Sequence, residues 1–431
     1  MDSLYTKFLS CRQNITTDTR KITKGCIYFA LKGERFDGNI FAYEAIEQGA
    51  EYVVIDNKAL AKNDRYILVD DVLTTLQQLA NYHRKQLNIP VIGITGSNGK
   101  TTTKELVHAV LSKKHNTQYT QGNLNNHIGV PLTLLSITSQ HEMAVVEMGA
   151  NHQLEIDMLC RIAEPNFGII TNIGKAHLEG FGGIEGVKKG KSELYKYLKE
   201  VNGTVFLHGD DTVLADLSKE NNKVTYGTNK LYDIVGKCNK TSMFVELAWR
   251  TRYKATEVKN ADFIKTNLVG IYNYHNALCA ACVGNYFKIE GHLINEALHH
   301  YIPTNNRSQL QQTENNRLIL DYYNANPSSM QAAIENFYNM NAENKMLVLG
   351  DMLELGEESI EEHKAIITLL NDKKLNDYLL VGPIFSSLQK EKSFVNSKQA
   401  HDFLQANPVK SKTILIKGSR GIALEEVVKV L

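Results

Sequence analysis

Val91-Ile92-Gly93-Ile94 runs into Thr95-Gly96-Ser97-Asn98-Gly99-Lys100-Thr101-Thr102-Thr103, and that junction decides the fold. The apolar run suits a buried strand, and from Lys104 to Leu111 apolar residues recur at helical spacing. Strand, glycine turn and helix in that order read as a phosphate loop. Gly96 and Gly99 leave no Cβ between the backbone and a polyphosphate. The first N–H groups of the helix, with its dipole, then face the anion. Lys100 offers a point charge to the β/γ oxygens and Thr101 a hydroxyl to Mg²⁺. Gly96, Ser97, Asn98, Gly99, Lys100, Thr101 and Thr102 are therefore the candidate nucleotide contacts. The spacing is G-x-x-G-K-T, shorter than the common G-x-x-x-x-G-K-[ST]. Alone, G-x-x-G describes an ordinary turn. The strand before it and the Lys-Thr-Thr after it carry the nucleotide reading.

At 431 residues the chain is too long for one core, and two to four domains are expected. It is 43% hydrophobic and 22% charged, the composition of a soluble globular protein. With 48 basic and 47 acidic residues the net charge is +1, so any anion site must be local and no nucleic-acid surface is expected. Neither a signal peptide nor an apolar run long enough to span a membrane is present, which predicts a cytoplasmic protein. The six cysteines are scattered. Cys279-Ala280-Ala281-Cys282 has no second pair or histidine pair at zinc spacing and reads as helix packing.

Residues 1–88 read as a small α/β domain, with strands at 26–31, 52–55 and 66–69, a loop over 32–38, and helices at 42–48 and 72–87. The polar run Thr17-Asp18-Thr19-Arg20 serves a phosphate, a sugar or only a solvated turn. In residues 89–302, Gly122-Asn123-Leu124-Asn125-Asn126-His127-Ile128-Gly129 suits a phosphate or carboxylate, or an exposed turn. Met143 to Gly149 is a buried strand with Glu147 near its carboxyl end, where parallel sheets bind ligands, so Glu147 is a candidate Mg²⁺ ligand or a turn cap. His177 stands past the strand 167–173 and is either structural or a ligand. The lysines of Gly186 to Leu194 read as a solvated helix face. Residues 223–269 read as short strands, followed by an Ala-rich helix over 277–287. Residues 303–431 alternate strand and helix, which predicts an open parallel sheet covered on both faces. No G-x-G-x-x-G follows those strands, so a dinucleotide is not expected.

Several stretches, taken in their order along the chain, form one set. They are Phe29 to Gly38, Gly96 to Thr102, Gly122 to Pro131, Glu147-Met148-Gly149-Ala150, Thr171 to Gly174 with Ala176 to Gly182, Tyr323 to Pro327, Leu349 to Gly356 and Lys417 to Gly421. Together they resemble the Mur ligases, the ATP-dependent amide-forming enzymes of peptidoglycan synthesis, over essentially the whole chain. The resemblance implies a ligase that joins D-alanyl-D-alanine to a UDP-N-acetylmuramoyl-tripeptide. The resemblance implies three α/β domains: a UDP-sugar domain at 1–88, a central P-loop ATPase with a parallel sheet at 89–302, and a Rossmann-like domain at 303–431. It implies an acyl phosphate made from ATP, two Mg²⁺ ions and a monomer.

By family position, Lys100, Glu147, His177 and Lys191 form the catalytic set. Thr101, Glu147, His177 and a carbamylated Lys191 would hold metal, and Asn276, Arg307 and Asp321 the nucleotide. Thr19, Arg20, Lys32, Gly33, Phe36, Asp37, Asn123, Asn126, His127, Asn324 and Asn326 would face the muramoyl substrate. Two positions depart from the family pattern: Gly190-Lys191-Ser192-Glu193 stands for its Ala-Lys-Gly-Glu, and Leu320 for the first of two aspartates. A folylpolyglutamate synthetase shares the ATPase logic but begins at the ATPase core. A GTPase lacks its Asn-Lys-x-Asp here, and a non-catalytic switch would bind ATP without amine-dependent turnover.

Overall fold

The computed structural model describes residues 1–240, 242–252 and 263–431. They form three principal sheets in chain order. The first has four strands, ordered Ile15–Thr16, Ile27–Phe29, Tyr52–Ile55 and Tyr66–Leu68, all parallel. The expected loop at 32–38 is a small antiparallel ladder, Lys32–Gly33 against Phe36–Asp37.

The central sheet has nine strands. From one edge they run Ile264–Val269, Phe244–Thr251, Ile234–Cys238, Asn222–Gly227, Thr204–His208, Phe167–Ile170, Val91–Thr95, Met143–Glu147 and Thr117–Tyr119. The chain leaves Val91–Thr95 for the far edge, returns through Met143–Glu147, and crosses to Phe167–Ile170 on the other side. The phosphate-loop strand therefore sits where strand order reverses, and the crevice at its carboxyl end is the ligand position of such sheets. Alternate residues serve opposite faces. Ile92, Ile94, Val145 and Ile169 pack with the helices Lys100–Leu111 and Tyr274–Tyr286, while Val91, Ala144, Val146 and Ile170 pack the other way.

The expectation of a parallel central sheet needs one correction. Ile234–Cys238, Phe244–Thr251 and Ile264–Val269 pair antiparallel. Residues 239–243 are too few for a crossover, so the chain can only turn back on itself. Part of the strand reading at 223–269, residues 253–262, lies outside the described residues.

The third sheet is ordered Gln309–Gln312, Arg317–Leu320, Thr413–Lys417, Lys345–Gly350, Tyr378–Val381 and Ser393–Phe394. It is parallel except for its first strand, a hairpin partner of the second that the sequence reading did not include. Leu318, Leu320, Ile414 and Ile416 pack one face and Ile319, Leu347 and Leu415 the other, so helices cover both. Leu320, one of the two departures from the family pattern, is a core residue of this sheet.

The helix Val72–Gln86 ties the first sheet to the second. Asp71 caps it by accepting from Thr74 N. From its last turn the buried Arg84 donates to the carbonyls of Ala163, Leu87 and Glu164 and to Asn166 Oδ1, at 2.9–3.1 Å. His83 Nε2 lies 2.8 Å from Ile137 O.

Candidate active site

The site grows from the register of three strands. Ile94 pairs with Glu147 and Thr95 with Ile170, so the three chains end together at one edge. Gly96 turns away there at φ +138°, and a Cβ on it would lie 2.0 Å from Thr171 Oγ1. Gly99 has φ +78°, and a Cβ would strike the Asn276 amide. Both glycines are thus fixed by what approaches them. Residues 171–174 brace the turn. Thr171 Oγ1 donates to Asn98 O (2.6 Å), Asn98 N donates to Asn172 Oδ1 (3.0 Å), and Ser97 Oγ donates to Gly174 O (3.0 Å).

Lys100 folds back on this turn, donating to Gly96 O at 2.7 Å. Burial lowers its pKa to about 8, with Glu147 opposing the shift and Arg307 adding to it. Glu147 is 1% exposed. Its Oε1 accepts from Asn125 Nδ2 (2.7 Å) and Thr101 Oγ1 (3.2 Å). Its Oε2 accepts no hydrogen bond and lies 3.3 Å from the buried Lys104 ammonium. Burial opposes ionisation of Glu147, but Lys104, Lys100 and Arg307 overcome it and hold the carboxyl below its ordinary pKa.

A cavity of about 760 Å³ lies over this edge. The central sheet contributes Ser97 to Thr102, Asn123, Asn126, His127, Glu147, His177 and Asn276 to its wall. The third contributes Asp321, Asn324 and Asn326, and Arg307 lines it from the connection between them. The two sides touch. Asn326 Nδ2 donates to Asn98 Oδ1 at 2.7 Å, Lys175 N donates to Ser328 Oγ at 2.9 Å, and His177 Nδ1 lies 2.6 Å from Glu354 Oε2. Asp321 accepts from Lys417 Nζ (2.8 Å) and Ser308 N (3.1 Å). The Arg307 guanidinium lies 3.8 Å from the Tyr323 ring centre.

Not every expected residue lines the cavity. Gly96 sits just behind it. Lys191 is 1% exposed and donates to the carbonyl of Ala150, a wall residue, at 2.9 Å. Burial, with the Lys100 charge adding, drives its amine well below the ordinary pKa. It is not on the solvated face expected of those lysines taken alone. The neighbouring Gly190, the second departure, has a local cause: a Cβ there would lie 2.4 Å from the Phe181 ring.

Asn126 has a structural duty too, accepting from Ile128 N and Gly129 N at the start of the helix Gly129–Leu135. Thr19, Arg20, Lys32, Gly33, Phe36 and Asp37 lie on the first sheet's side and do not line the cavity. There Arg20 pairs with Asp18, Lys32 with Asp56, and Asp37 accepts from Asn39. Residues that sequence reasoning passed over are Lys104, Asn125, Lys417 and Glu354. Lys104 had one signal, its place one helical turn after Lys100. The other three lay inside quoted stretches.

Three family models match in order: "Mur ligase family, catalytic domain" over 13–84, "Mur ligase middle domain" over 94–284, and "Mur ligase, glutamate ligase domain" over 306–420. The UDP-N-acetylmuramoyl-tripeptide--D-alanyl-D-alanine ligase of Bacillus subtilis is 39% identical, over 96% of this chain and 92% of that protein. The Escherichia coli protein of the same name is 34% identical, over 97% and 93%. A crystal structure of MurF from Acinetobacter baumannii superposes with a TM-score of 0.85 at 29% identity, covering 99% of this chain and 98% of that one. MurF ligase from Thermotoga maritima, solved in complex with ADP, gives 0.84 at 27%, covering 97% of each. Agreement of this kind along the full length, sheet by sheet, makes the chain a member of the Mur ligase family.

Proposed function

We propose that this chain joins D-alanyl-D-alanine to a UDP-N-acetylmuramoyl-tripeptide, forming ADP and phosphate. The observation that carries the reading is the single cavity in which Lys100, Glu147 and His177 meet Asp321, Asn324 and Asn326 from the third sheet, in a chain 39% identical to a ligase of that name. The terminal carboxylate of the tripeptide attacks the γ-phosphorus of ATP, and ADP leaves. The dipeptide amine then attacks the acyl carbon, loses its proton, and phosphate departs with the bonding electrons. A free carboxylate is a poor acyl donor and an acyl phosphate a good one.

The chain's own groups have distinct tasks. Lys100 moves from Gly96 O onto phosphate oxygens, and the turn Gly96 to Thr102 supplies N–H donors. Asn276, Arg307 and Asp321 hold the nucleoside end, with Arg307 seated on Tyr323. Asn123, Asn126 and His127, with Asn324 and Asn326 opposite, hold the muramoyl peptide. Thr19, Arg20, Lys32, Gly33, Phe36 and Asp37 hold its far, UDP-bearing end outside the cavity. The division into 1–88, 89–302 and 303–431 follows these tasks. ATP and a nucleotide-activated sugar as substrates put the reaction in the cytoplasm. No helix among the described residues is long and apolar enough to cross a membrane.

The donor set fits Mg²⁺. Thr101 and Glu147 present hard oxygens, and Glu147 Oε2 is buried without a hydrogen bond. His177 and Lys191 would complete a second site. Lys191 fits only once modified: a neutral amine adds to CO₂ and loses a proton, giving anionic carbamate oxygens. Bound Mg²⁺ would offset the charge of the converging phosphates and carboxylate.

The test is phosphate release from MgATP, with UDP-muramoyl tripeptide and D-alanyl-D-alanine added singly and together. Release only with both supports the ligase. Release indifferent to both sinks it.

A further inference from the structure

Four carboxylates line the cavity: Glu147, Glu155, Asp321 and Glu354. Three already face an ammonium or backbone N–H groups. Glu147 has Asn125, Thr101 and Lys104. Asp321 has Lys417 and Ser308 N. Glu155 accepts from the backbone N–H groups of Asn151 and His152. Glu354 differs: His177 meets its Oε2, no ammonium, guanidinium or backbone N–H among the described residues reaches either oxygen, and its side chain is 53% exposed.

The loop that carries Glu354 is firmly built. Met352 N donates to the buried His363 Nε2 and Leu353 N to Ser419 Oγ, both at 3.0 Å. Glu354 and His177 both hold left-handed backbone, at φ +63° and +54°, a conformation ordinary side chains adopt only when their surroundings impose it. The carboxylate is therefore placed rather than trailing.

On the ligase reading, ATP and the tripeptide bring phosphates and a reacting carboxylate to this cavity, and the zwitterionic dipeptide brings an ammonium at its amino terminus. Lys100, Arg307 and Lys417 suit the first two. We infer that Glu354 is the ammonium-docking residue of the site, one oxygen 2.6 Å from His177 Nδ1 and the other open to the incoming amine. This rests on the ligase reading. It makes Glu354 a specificity-determining residue, selecting an amine that arrives as an ammonium and seating it beside the phosphate side of the cavity, where it gives up a proton before the free amine attacks.

The test compares wild type with Glu354→Gln and Glu354→Asp in the full chain. With MgATP and UDP-muramoyl tripeptide saturating, Glu354→Gln should raise the KM for D-alanyl-D-alanine about 10- to 100-fold, as for loss of a hydrogen bond to a charged group. The KM values for ATP and tripeptide should stay within about twofold of wild type, and Glu354→Asp should fall between. Hydroxylamine, an uncharged nucleophile at neutral pH, replaces the dipeptide in a parallel assay and traps the acyl phosphate as a hydroxamate. That yield should be unchanged in Glu354→Gln. An unchanged dipeptide KM overturns the inference. So does a rise of all three KM values with a matching fall in hydroxamate, which would make Glu354 only a clasp between domains. Neither amide nor hydroxamate from wild type would instead sink the ligase reading itself.

Discussion

Lys100 sets the pH behaviour of the site. Free, it titrates near 8 because burial disfavours its charge. A polyphosphate beside it favours the charged form, so the bound state has the higher pKa and holds more proton above pH 8. Nucleotide affinity should then be flat below that value and fall with rising pH, by up to about tenfold per unit. Calorimetry at a pH one unit above it, in two buffers of different ionisation enthalpy, should register proton uptake on ADP binding. Lys191→Ala should nearly abolish turnover, and a short-chain carboxylic acid should restore part of it by supplying the missing oxygens. Full activity without the additive would remove the carbamate from the account. Lys191 also marks where reading residues one by one runs out. Three nearby lysines on a helix look alike in sequence, and only packing against Phe181 and Ala150 separates this one from its solvated neighbours. Glu147 was legible because a carboxylate at a strand's carboxyl end is unusual. Its partners Lys104 and Asn125 were not, since each reaches it from a different element.

Elements were the most legible scale. The phosphate-loop strand and its helix, and the strands at 317–320, 346–349, 378–381 and 413–417, stand where apolar runs and helical spacing put them. Direction within a sheet was harder, because periodicity reports burial and not pairing. The antiparallel pairing of Ile234–Cys238 with Phe244–Thr251 and of Gln309–Gln312 with Arg317–Leu320 follows from short connections instead. The helix Val72–Gln86 carries its own prediction. Arg84 satisfies three carbonyls and an amide oxygen from a 7% exposed position. Arg84→Met strands those acceptors and should cost about 2–4 kcal/mol, seen as an earlier urea unfolding transition. An unchanged transition would mean that water replaces the guanidinium there.

Across the whole molecule, the site exists only where two sheets meet. Gly174 lies at that seam. A Cβ on it would come within 2.9 Å of Ser328 Oγ. Gly174→Val should therefore hold the third domain off the phosphate loop, enlarging the radius of gyration in solution scattering and abolishing turnover. ADP should still bind, though more weakly, since Lys100 and its turn remain intact while the contact from Asp321 is lost. Unchanged scattering with normal turnover would show that the seam yields to an isopropyl group.

The bond from Asn326 to Asn98 has a further consequence. Asn98 belongs to the turn that faces phosphate, and its side-chain oxygen is held by a residue more than two hundred positions away. A ligand that shifts this turn also changes how well Asn326 is received. Coupling of this kind is reciprocal: the factor by which nucleotide favours docking of the third domain is the factor by which docking favours nucleotide. A molecule that wedges the two domains apart would thus weaken ATP binding without touching the nucleotide pocket, and ATP at high concentration would work against the wedge.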